Sequence, residues 1–460
     1  MPTSLRTMLK NSLMQTLGAF GTTILNFLLT LSYAGILGPE KFGSLVTSQA
    51  HVLIWSLLVD LGLSQAMISA LASAKKRSDN DRQEFRARDL IFRVLGIRLS
   101  GAVIGGIAVL FFSYRRAMHG DSFDTNHFVQ DIAFMPQLFA LAFQQTAIAY
   151  GNFCGRQRLS VTANFSGNFV TALLAMCLAF MGRSIPVLLL AQSWGGFLVA
   201  IIILSSFLIS KPAASNARVK KQKEGPWKRL AWSAIQRDAW PYALIFATTV
   251  LWSRMDQITA SNLLGEEIAG NYALAVRLVA IPTLMISAIS LAIFPDMQRM
   301  GHDDPKKIHI YIGLASKLVF RYGVIAFALI LFCIGLLFGP IVPKFKSAIH
   351  LLPWFIPGVW AYCLHNFFIS ALYGLRKYKK AVFAHLYAVS IYSLSLYFLP
   401  QWIGIQGIIW SYNIFTLVLA YSSWQYLKPN FPSSFQLVGS LIPEESILLG
   451  SILKRVFNKD

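Results

Sequence analysis

Long stretches without any charged residue dominate the chain. No Asp, Glu, Lys or Arg occurs in residues 11–39, 132–155, 159–182, 184–210, 347–375 or 381–427. A helix needs about 20 apolar residues to cross the hydrocarbon of a bilayer, so each stretch is long enough for one crossing and the last for two. The pattern predicts an all-α polytopic membrane protein.

Breaks at charged residues, Gly and Pro divide these stretches into twelve predicted transmembrane helices. The first six are predicted at 11–36, 44–72, 89–113, 131–153, 160–181 and 186–209, and the second six at 238–261, 268–296, 309–338, 347–373, 381–399 and 404–427.

An internal repeat accompanies the equal number of helices in the two halves. Leu37–Gly43 and Leu264–Gly270 share the pattern LGxExxG, and each follows the first predicted helix of its half. We therefore expect two six-helix lobes around a central cavity, as in transporters with parallel repeats. The predicted division is a first lobe at 1–210, a basic cytoplasmic linker at 211–237, a second lobe at 238–427, and a cytoplasmic tail at 428–460 with an interfacial helix.

Composition supports a membrane protein. Hydrophobic residues make up 55% of the chain and charged residues 13%, against about 25% charged residues in soluble domains. Most Lys and Arg residues of the predicted connections fall on one side of the membrane, which by the positive-inside rule places both termini in the cytoplasm. Topology thus accounts for the net charge of +21 without a nucleic-acid partner. The four cysteines show no CxxC spacing, so neither a zinc site nor a disulfide scaffold is indicated.

Ionisable residues inside the predicted helices are the candidate functional groups. Each costs at least about 2.5–3.5 kcal/mol in hydrocarbon and normally faces a cavity or a partner. The bases outnumber the acids, which predicts a cationic cavity for an anionic substrate, whereas the acids are candidates for ion coupling. An alternative remains open, in which these groups pair locally or reach the membrane surface. The predicted substrate-binding residues are Arg98, Arg254, Arg277, Lys317 and Arg321, and the candidate ion-coupling residues are Asp60 and Asp256.

Two further expectations concern the same helices. Arg254, Asp256 and Arg277 are predicted at comparable depths, where they can meet. A lone intramembrane histidine is more typical of packing than of a proton relay, and His51, His365 and His385 are of this kind.

Enzyme motifs are missing from the sequence. A P-loop requires a Gly-Lys pair, which does not occur, and no GxSxG pattern is present. The longest predicted outer loop, 114–130, contains His119, Asp121, Asp124 and His127. These residues could bind a metal ion, but a solvated loop is the favoured interpretation. We predict no catalytic residue, cofactor or resident metal.

The repeat regions resemble a known transporter family. LSYAGILGPEKFGSL, followed by Leu58–Leu63, is similar to the first two helices of polysaccharide flippases of the Wzx type. In the second half, Asp256 lies in SRMDQI, and LLGEEIAGNYALAVRL follows. The wider superfamily also contains multidrug-and-toxin-extrusion antiporters and the lipid II flippase. Twelve predicted helices, rather than the fourteen usual in the lipid II flippase, favour the polysaccharide branch.

The resemblance implies a substrate and a location. The substrate would be an undecaprenyl-pyrophosphate-linked oligosaccharide, moved from the inner to the outer leaflet of a bacterial cytoplasmic membrane. The depth and charge of Arg98, Arg254 and Arg277, rather than the resemblance, make them the candidates for holding its pyrophosphate. Expected partners are membrane lipids and polysaccharide assembly proteins. Three alternatives stay open: a small-molecule cation antiporter of the same superfamily, a membrane polysaccharide polymerase, and a non-transporting scaffold.

Overall fold

The computed structural model describes residues 2–63, 80–118, 124–153, 157–209, 227–303, 305–375 and 377–430. Side chains are described from residue 21 onward within these ranges, apart from 23, 80–90, 152–153, 157–158, 204, 206–209, 227–239, 285–311 and 430. Within this part of the chain the regular structure is helical and no strand occurs. The predicted tail helix at 443–457 lies outside the described residues, as does most of the predicted basic linker.

The described residues of the first half of the chain form seven helices. They are α1 (Pro2–Leu53), α2 (Ser56–Asp60), α3 (Asn80–Ala117), α4 (Thr125–Phe134), α5 (Pro136–Phe153), α6 (Gln157–Phe180) and α7 (Ile185–Ile209).

The described residues of the second half are also helical and include three short 3₁₀ segments. Its α-helices are α8 (Trp227–Leu264), α9 (Glu266–Asp303), α10 (Pro305–Phe338), α11 (Lys346–Leu351), α12 (Ile356–Gly374), α13 (Tyr378–Ile403) and α14 (Ile405–Leu427). The 3₁₀ segments are Pro343–Phe345, Leu352–Phe355 and Lys428–Asn430.

Eight helical ranges among the described residues are long and apolar enough to cross a membrane. One of them, Ile24–Asp60, contains parts of two predicted helices. The all-α, multi-pass architecture predicted from the charge pattern is therefore confirmed. The described helices are compatible with twelve crossings, although the number twelve stays a prediction.

A kink separates the first two predicted crossings without an intervening loop. Gly38 has φ 75° and ψ 174°, and Pro39 follows it inside α1. Glycine adopts positive φ without a Cβ clash, and proline lacks the N–H that would continue the helical hydrogen bonds. This Gly-Pro pair explains the kink between the crossings predicted at 11–36 and 44–72.

The predicted loop 114–130 is shorter than expected. α3 continues to Ala117 and α4 begins at Thr125. Asp124 caps α4, because its Oδ1 accepts a hydrogen bond from the backbone N of Asn126 at 3.0 Å. The prediction of a loop at 114–130 is therefore wrong at both ends, because helical hydrogen bonding continues to Ala117 and a new helix begins directly after its N-cap, Asp124.

Packing divides the chain into two compact units, Met1–Ser261 and Asn262–Asp460. In the first, α1 packs on α4 and α6, α2 on α3, and α7 on α4, α5 and α6. In the second, α12 contacts α9, α10 and α14, and α13 packs on α14. α8, whose first turns belong to the predicted linker, falls largely within the first unit. The lobes predicted at 1–210 and 238–427 stay a prediction.

Candidate transport site: buried charges in the membrane helices

Arg98 forms a buried ion pair with Asp60. Its Nη2 donates to Asp60 Oδ1 at 2.7 Å, and its Nη1 donates to Thr146 Oγ1 at 2.9 Å. The Arg98 side chain is 0% exposed and that of Asp60 is 15% exposed. One predicted substrate-binding residue thus contacts one predicted ion-coupling residue, and the charges compensate each other inside the first unit.

The backbone around Asp60 brings this pair together. α2 ends at Asp60, and Leu61 and Gly62 follow with φ 43° and 69°. A left-handed conformation is uncommon for leucine and stops the helix at this point. On α3, Gly101 lies three residues after Arg98 on the same face, and a Cβ at this position would overlap the carbonyl oxygen of Leu58. Glycine therefore permits the close approach of α2 and α3 that places Arg98 beside Asp60.

Arg254 and Asp256 lie near the end of α8. Arg254 is half-buried, and the charge of Asp256 acts on it. Asp256 is buried, and its Oδ1 accepts a hydrogen bond from the backbone N of Gln257 at 2.7 Å. The prediction that these two residues meet Arg277 would join two separate units and stays a prediction.

The remaining predicted cations belong to the second unit. Arg277 on α9 is half-buried, Lys317 on α10 is 1% exposed, and Arg321 on α10 is exposed. Residues 305–427 contain neither Asp nor Glu. Lys317 and Arg321 therefore belong to a set of five helices, α10 to α14, that contains no acidic side chain.

An aromatic cavity lies close to these cations in the second unit. It measures about 160 Å³ and is lined by residues of α10, α12 and α14, among them Phe320, Trp360, Phe368 and Trp424. Phe320 directly precedes Arg321 and follows Lys317 by three residues, so cationic side chains and an apolar cavity share one stretch of α10.

Two histidines of the second unit pack against each other. The rings of His365 and His385 lie 5.2 Å apart between centroids. His365 Nδ1 contacts Ser423 Oγ at 3.1 Å, and His385 Nδ1 lies 2.9 Å from the carbonyl oxygen of Ala381. This arrangement agrees with the packing role expected for intramembrane histidines.

The sequence analysis did not identify Asp131 as a functional residue. Asp131 on α4 is 0% exposed, and His51 Nδ1 lies 3.4 Å from its Oδ2. Ser113 on α3 donates to the same oxygen at 2.7 Å. The signal that could have found this cluster is the position of Asp131 directly before the uncharged stretch 132–155, where it begins a predicted crossing rather than interrupting one.

The loop residues considered for a metal site form no such site in the described part of the chain. Asp124 caps α4 and approaches His127 Nε2 at 3.6 Å, whereas His119 and Asp121 lie outside the described residues. No group of three or more His, Cys, Asp or Glu side chains suited to a metal ion occurs among the residues that the structure describes.

Sequence comparison assigns the family. Residues 8–300 match the model of a family described as polysaccharide biosynthesis protein. The chain belongs to this family. Sequence comparison with curated proteins gives no significant match.

Solved structures show how widely the fold of this polysaccharide biosynthesis protein is shared. The lipid II flippase MurJ, in an inward closed conformation, has a TM-score of 0.67 at 12% identity, covering 96% of this chain and 93% of that one. A multidrug resistance MATE family transporter of the MOP superfamily, facing inward, gives 0.64 at 14% identity, covering 89% and 94%. A MOP superfamily transporter from Pyrococcus furiosus, described as having a binding pocket of reversed polarity, gives 0.58 at 13% identity, covering 92% and 95%. The chain thus shares its fold with these membrane proteins.

Proposed function

We propose that this protein is a flippase for an undecaprenyl-pyrophosphate-linked oligosaccharide. It moves this lipid from the inner to the outer leaflet of a bacterial cytoplasmic membrane by alternating access, with both termini in the cytoplasm. Membership of the polysaccharide biosynthesis family supports a substrate that serves polysaccharide assembly. The observation that carries the proposal is the cationic character of the membrane helices in the second unit, because it favours an anionic headgroup.

The charge argument is strongest on α10. Lys317 and Arg321 lie one turn apart, and residues 305–427 supply no carboxylate. Intramembrane cations are costly and are retained where they serve a substrate pathway or a partner. A pyrophosphate accepts charge-assisted hydrogen bonds from several such donors at once. A cation substrate would instead require a surplus of acids.

The aromatic cavity beside these cations suits the rest of the lipid. Its lining includes Phe320, Trp360 and Trp424, and Phe320 belongs to the same stretch of α10 as Lys317 and Arg321. A polyprenyl chain is apolar along its length, whereas its pyrophosphate is anionic. The juxtaposition therefore fits a substrate with a charged headgroup and a hydrocarbon tail better than a uniformly polar solute.

Arg98 has two competing roles. Its predicted role is to bind the pyrophosphate, but in the structure it is enclosed and bonded to Asp60 and Thr146. We assign the headgroup contact first to Arg277 and Arg321 of the second unit, and we assign Arg98 a fold-supporting role.

The membrane potential can contribute to outward movement. An inside-negative potential favours outward transfer of each negative charge by about 2.3 kcal/mol per 100 mV. A diphosphate therefore gains from the potential without ATP hydrolysis, for which the sequence has no P-loop. We expect neither a cofactor nor catalysis.

Reconstitution in liposomes tests the proposal. Purified protein is combined with a labelled lipid-linked oligosaccharide, and transfer between leaflets is measured for the native chain, for Arg254→Ala, for Arg277→Ala and for Arg321→Ala. Loss of one charge-assisted contact of about 1.5–3 kcal/mol corresponds to a roughly 10- to 100-fold slower transfer. Arg183→Ala is the matched control, because Arg183 is exposed between α6 and α7; it should transfer at the native rate.

The outcomes separate the candidate functions. Native transfer rates in all three variants would remove the headgroup site. Failure of the native protein to transfer the lipid, together with glycan elongation in vitro, would establish the polymerase alternative. Uptake of small organic cations without lipid transfer would establish the antiporter.

A further inference from the structure

Four lysines gather at the end of the second unit where α13 begins and α14 ends. Lys377 is the N-cap of α13, Lys379 and Lys380 lie in its first turn, and Lys428 directly follows α14. α13 and α14 pack against each other and are joined by a single residue, so the start of one lies beside the end of the other. Accordingly, Lys380 Nζ lies 5.9 Å from the centre of the Tyr426 ring. We call the four lysines the lysine patch.

The lysine patch concentrates positive charge. The pKa of Lys377 is lowered from its usual value, first by burial and then by the charge of Lys380. The sequence of α12, α13 and α14 contains no Asp or Glu with which these helices could neutralise the patch. The positive end of the α13 dipole adds to it, because a lysine at the N-cap offers no acceptor to the first turn. A bound anion therefore relieves the repulsion between the lysines.

Tyrosine side chains place the lysine patch at the surface of the membrane. The rings of Tyr373 and Tyr378 lie 5.8 Å apart across the turn between α12 and α13, and Lys380 lies over the ring of Tyr426. Tyrosine is enriched where hydrocarbon meets the headgroups, because its ring is apolar and its hydroxyl is polar. α13 is long and apolar enough to cross a membrane, and the patch lies at its first turn. The ammonium groups are thus at the depth of lipid phosphates.

An apolar face of α13 begins at the lysine patch. Lys379, Phe383 and Tyr387 follow one another at intervals of four residues, so they share one face of the helix. All three are exposed, Phe383 by 59% and Tyr387 by 58%. Acyl chains can cover this face, whereas a soluble phosphate or an acidic peptide would leave it uncovered. The surface therefore fits a ligand with an anionic head and a hydrocarbon tail.

We propose that the lysine patch and the adjoining face of α13 form a binding site for an anionic phospholipid of the bilayer. Lys377, Lys379 and Lys380 contact its phosphate. Lys428 closes the site from α14, and one acyl chain lies along Phe383. Basic pockets at the ends of membrane helices are typical sites for anionic headgroups. The bound lipid links the ends of α13 and α14, and its binding does not depend on the function proposed above.

Native mass spectrometry of the full-length protein in detergent tests the site. Phosphatidylglycerol is titrated onto the native chain and onto two double variants that each lose two lysines. One lysine near a headgroup contributes about a fivefold change in affinity, so Lys377→Gln with Lys380→Gln should weaken binding roughly 25-fold. Lys344→Gln with Lys346→Gln is the matched control, because these exposed lysines lie before the start of α12, and it should bind like the native chain. Equal weakening in both double variants would show a general effect of net charge and would overturn the proposal.

A charge-preserving variant separates electrostatics from folding. Lys377→Arg with Lys380→Arg keeps both positive charges and should retain phosphatidylglycerol binding, whereas loss of binding in this variant would overturn an electrostatic site. Phosphatidylcholine has similar acyl chains but no net charge. It should bind weakly and equally to the native chain and to every variant.

Further probes identify the occupant. Glycerol 3-phosphate carries the charge of the headgroup without the chains, and it should not displace phosphatidylglycerol. A phosphatidylglycerol with a photoactivatable group on its acyl chain should label the peptide that contains Phe383; labelling confined to other helices would overturn the acyl-chain contact. Displacement by an equal concentration of undecaprenyl pyrophosphate would assign the lysine patch to the proposed substrate and overturn the phospholipid assignment. Absence of lipid transfer in liposomes would count against the proposed function alone.

Discussion

Two buried acid-base pairs in the first unit differ in which of the two side chains is partly exposed. In Arg98–Asp60 the base is 0% exposed and the acid 15%, whereas in His51–Asp131 the base is 15% exposed and the acid 0%. Arginine keeps its charge in a protein, so the first pair is permanent. In the second pair the base is an imidazole rather than a guanidinium, and His51 Nδ1 lies 3.4 Å from Asp131 Oδ2. A similar depth of burial thus accompanies a short ion pair in one place and a longer contact in the other.

The largest effect is expected from breaking the permanent pair. Arg98→Ala leaves Asp60 without its guanidinium and Thr146 without a donor, and removal of one partner of a buried ion pair costs about 3–5 kcal/mol. The free energy of unfolding in mixed micelles measures the loss. Replacing both members, Arg98→Met with Asp60→Leu, should recover most of it. Equal losses in the single and double variants would show that packing, rather than the uncompensated charge, dominates.

Thr146 supports the same pair from α5. Its hydroxyl accepts from Arg98 Nη1 and donates to the carbonyl oxygen of Ala142 at 2.8 Å. Thr146→Val keeps the shape but removes a hydrogen bond to a charged group, which contributes about 1.5–3 kcal/mol. The same unfolding measurement applies, with the exposed Thr162→Val as the control. Equal stability of the two variants would show that this hydrogen bond is dispensable.

The approach of α2 to α3 can be tested with a single methyl group. Gly101→Ala places a Cβ against the carbonyl oxygen of Leu58, and we expect a loss of about 1–3 kcal/mol from overpacking. Gly96→Ala on the same helix is the control, because nothing lies within 4 Å of its added Cβ, and helix propensity predicts a gain of about 0.8–1 kcal/mol. Destabilisation by both variants would locate the effect in α3 itself.

The smallest effect is expected at Asp131. Ser113→Ala removes the hydroxyl that donates to Asp131 Oδ2 at 2.7 Å, and the net contribution of a typical hydrogen bond is about 0.5–1.5 kcal/mol. Ser100→Ala, on an exposed part of α3, should change nothing measurable. A loss as large as that of Thr146→Val would contradict this ranking of the two hydrogen bonds.

The helices were largely predictable from the distribution of charges. The predicted helix 186–209 corresponds to Ile185–Ile209, and 404–427 corresponds to Ile405–Leu427. Errors occur where helices extend beyond the apolar stretch. α3 starts at Asn80 rather than 89, because charges mark the edge of the hydrocarbon whereas backbone hydrogen bonds continue the helix into the headgroup region.

The candidate site was predictable in its residues but not in their partners. Burial of Arg98 inside a membrane helix follows from the sequence, yet its partner Asp60 lies on another helix and is brought close by Gly101 and the turn at Leu61. The burial of Asp131 could not be predicted from the sequence, because an acid at the beginning of an apolar stretch normally reaches water. Only the packing of α1, α3 and α7 around α4 encloses it.

The missing side chain at Gly101 also constrains how this protein can move. Helices that touch backbone to backbone, with an ion pair three residues away, do not slide past one another without losing both contacts. α2 and α3 should therefore travel as one rigid block, and the bending must be absorbed in neighbouring segments. A pair of spin labels on these two helices would report an unchanging separation throughout the cycle, which makes the block a fixed reference for every other distance in the protein.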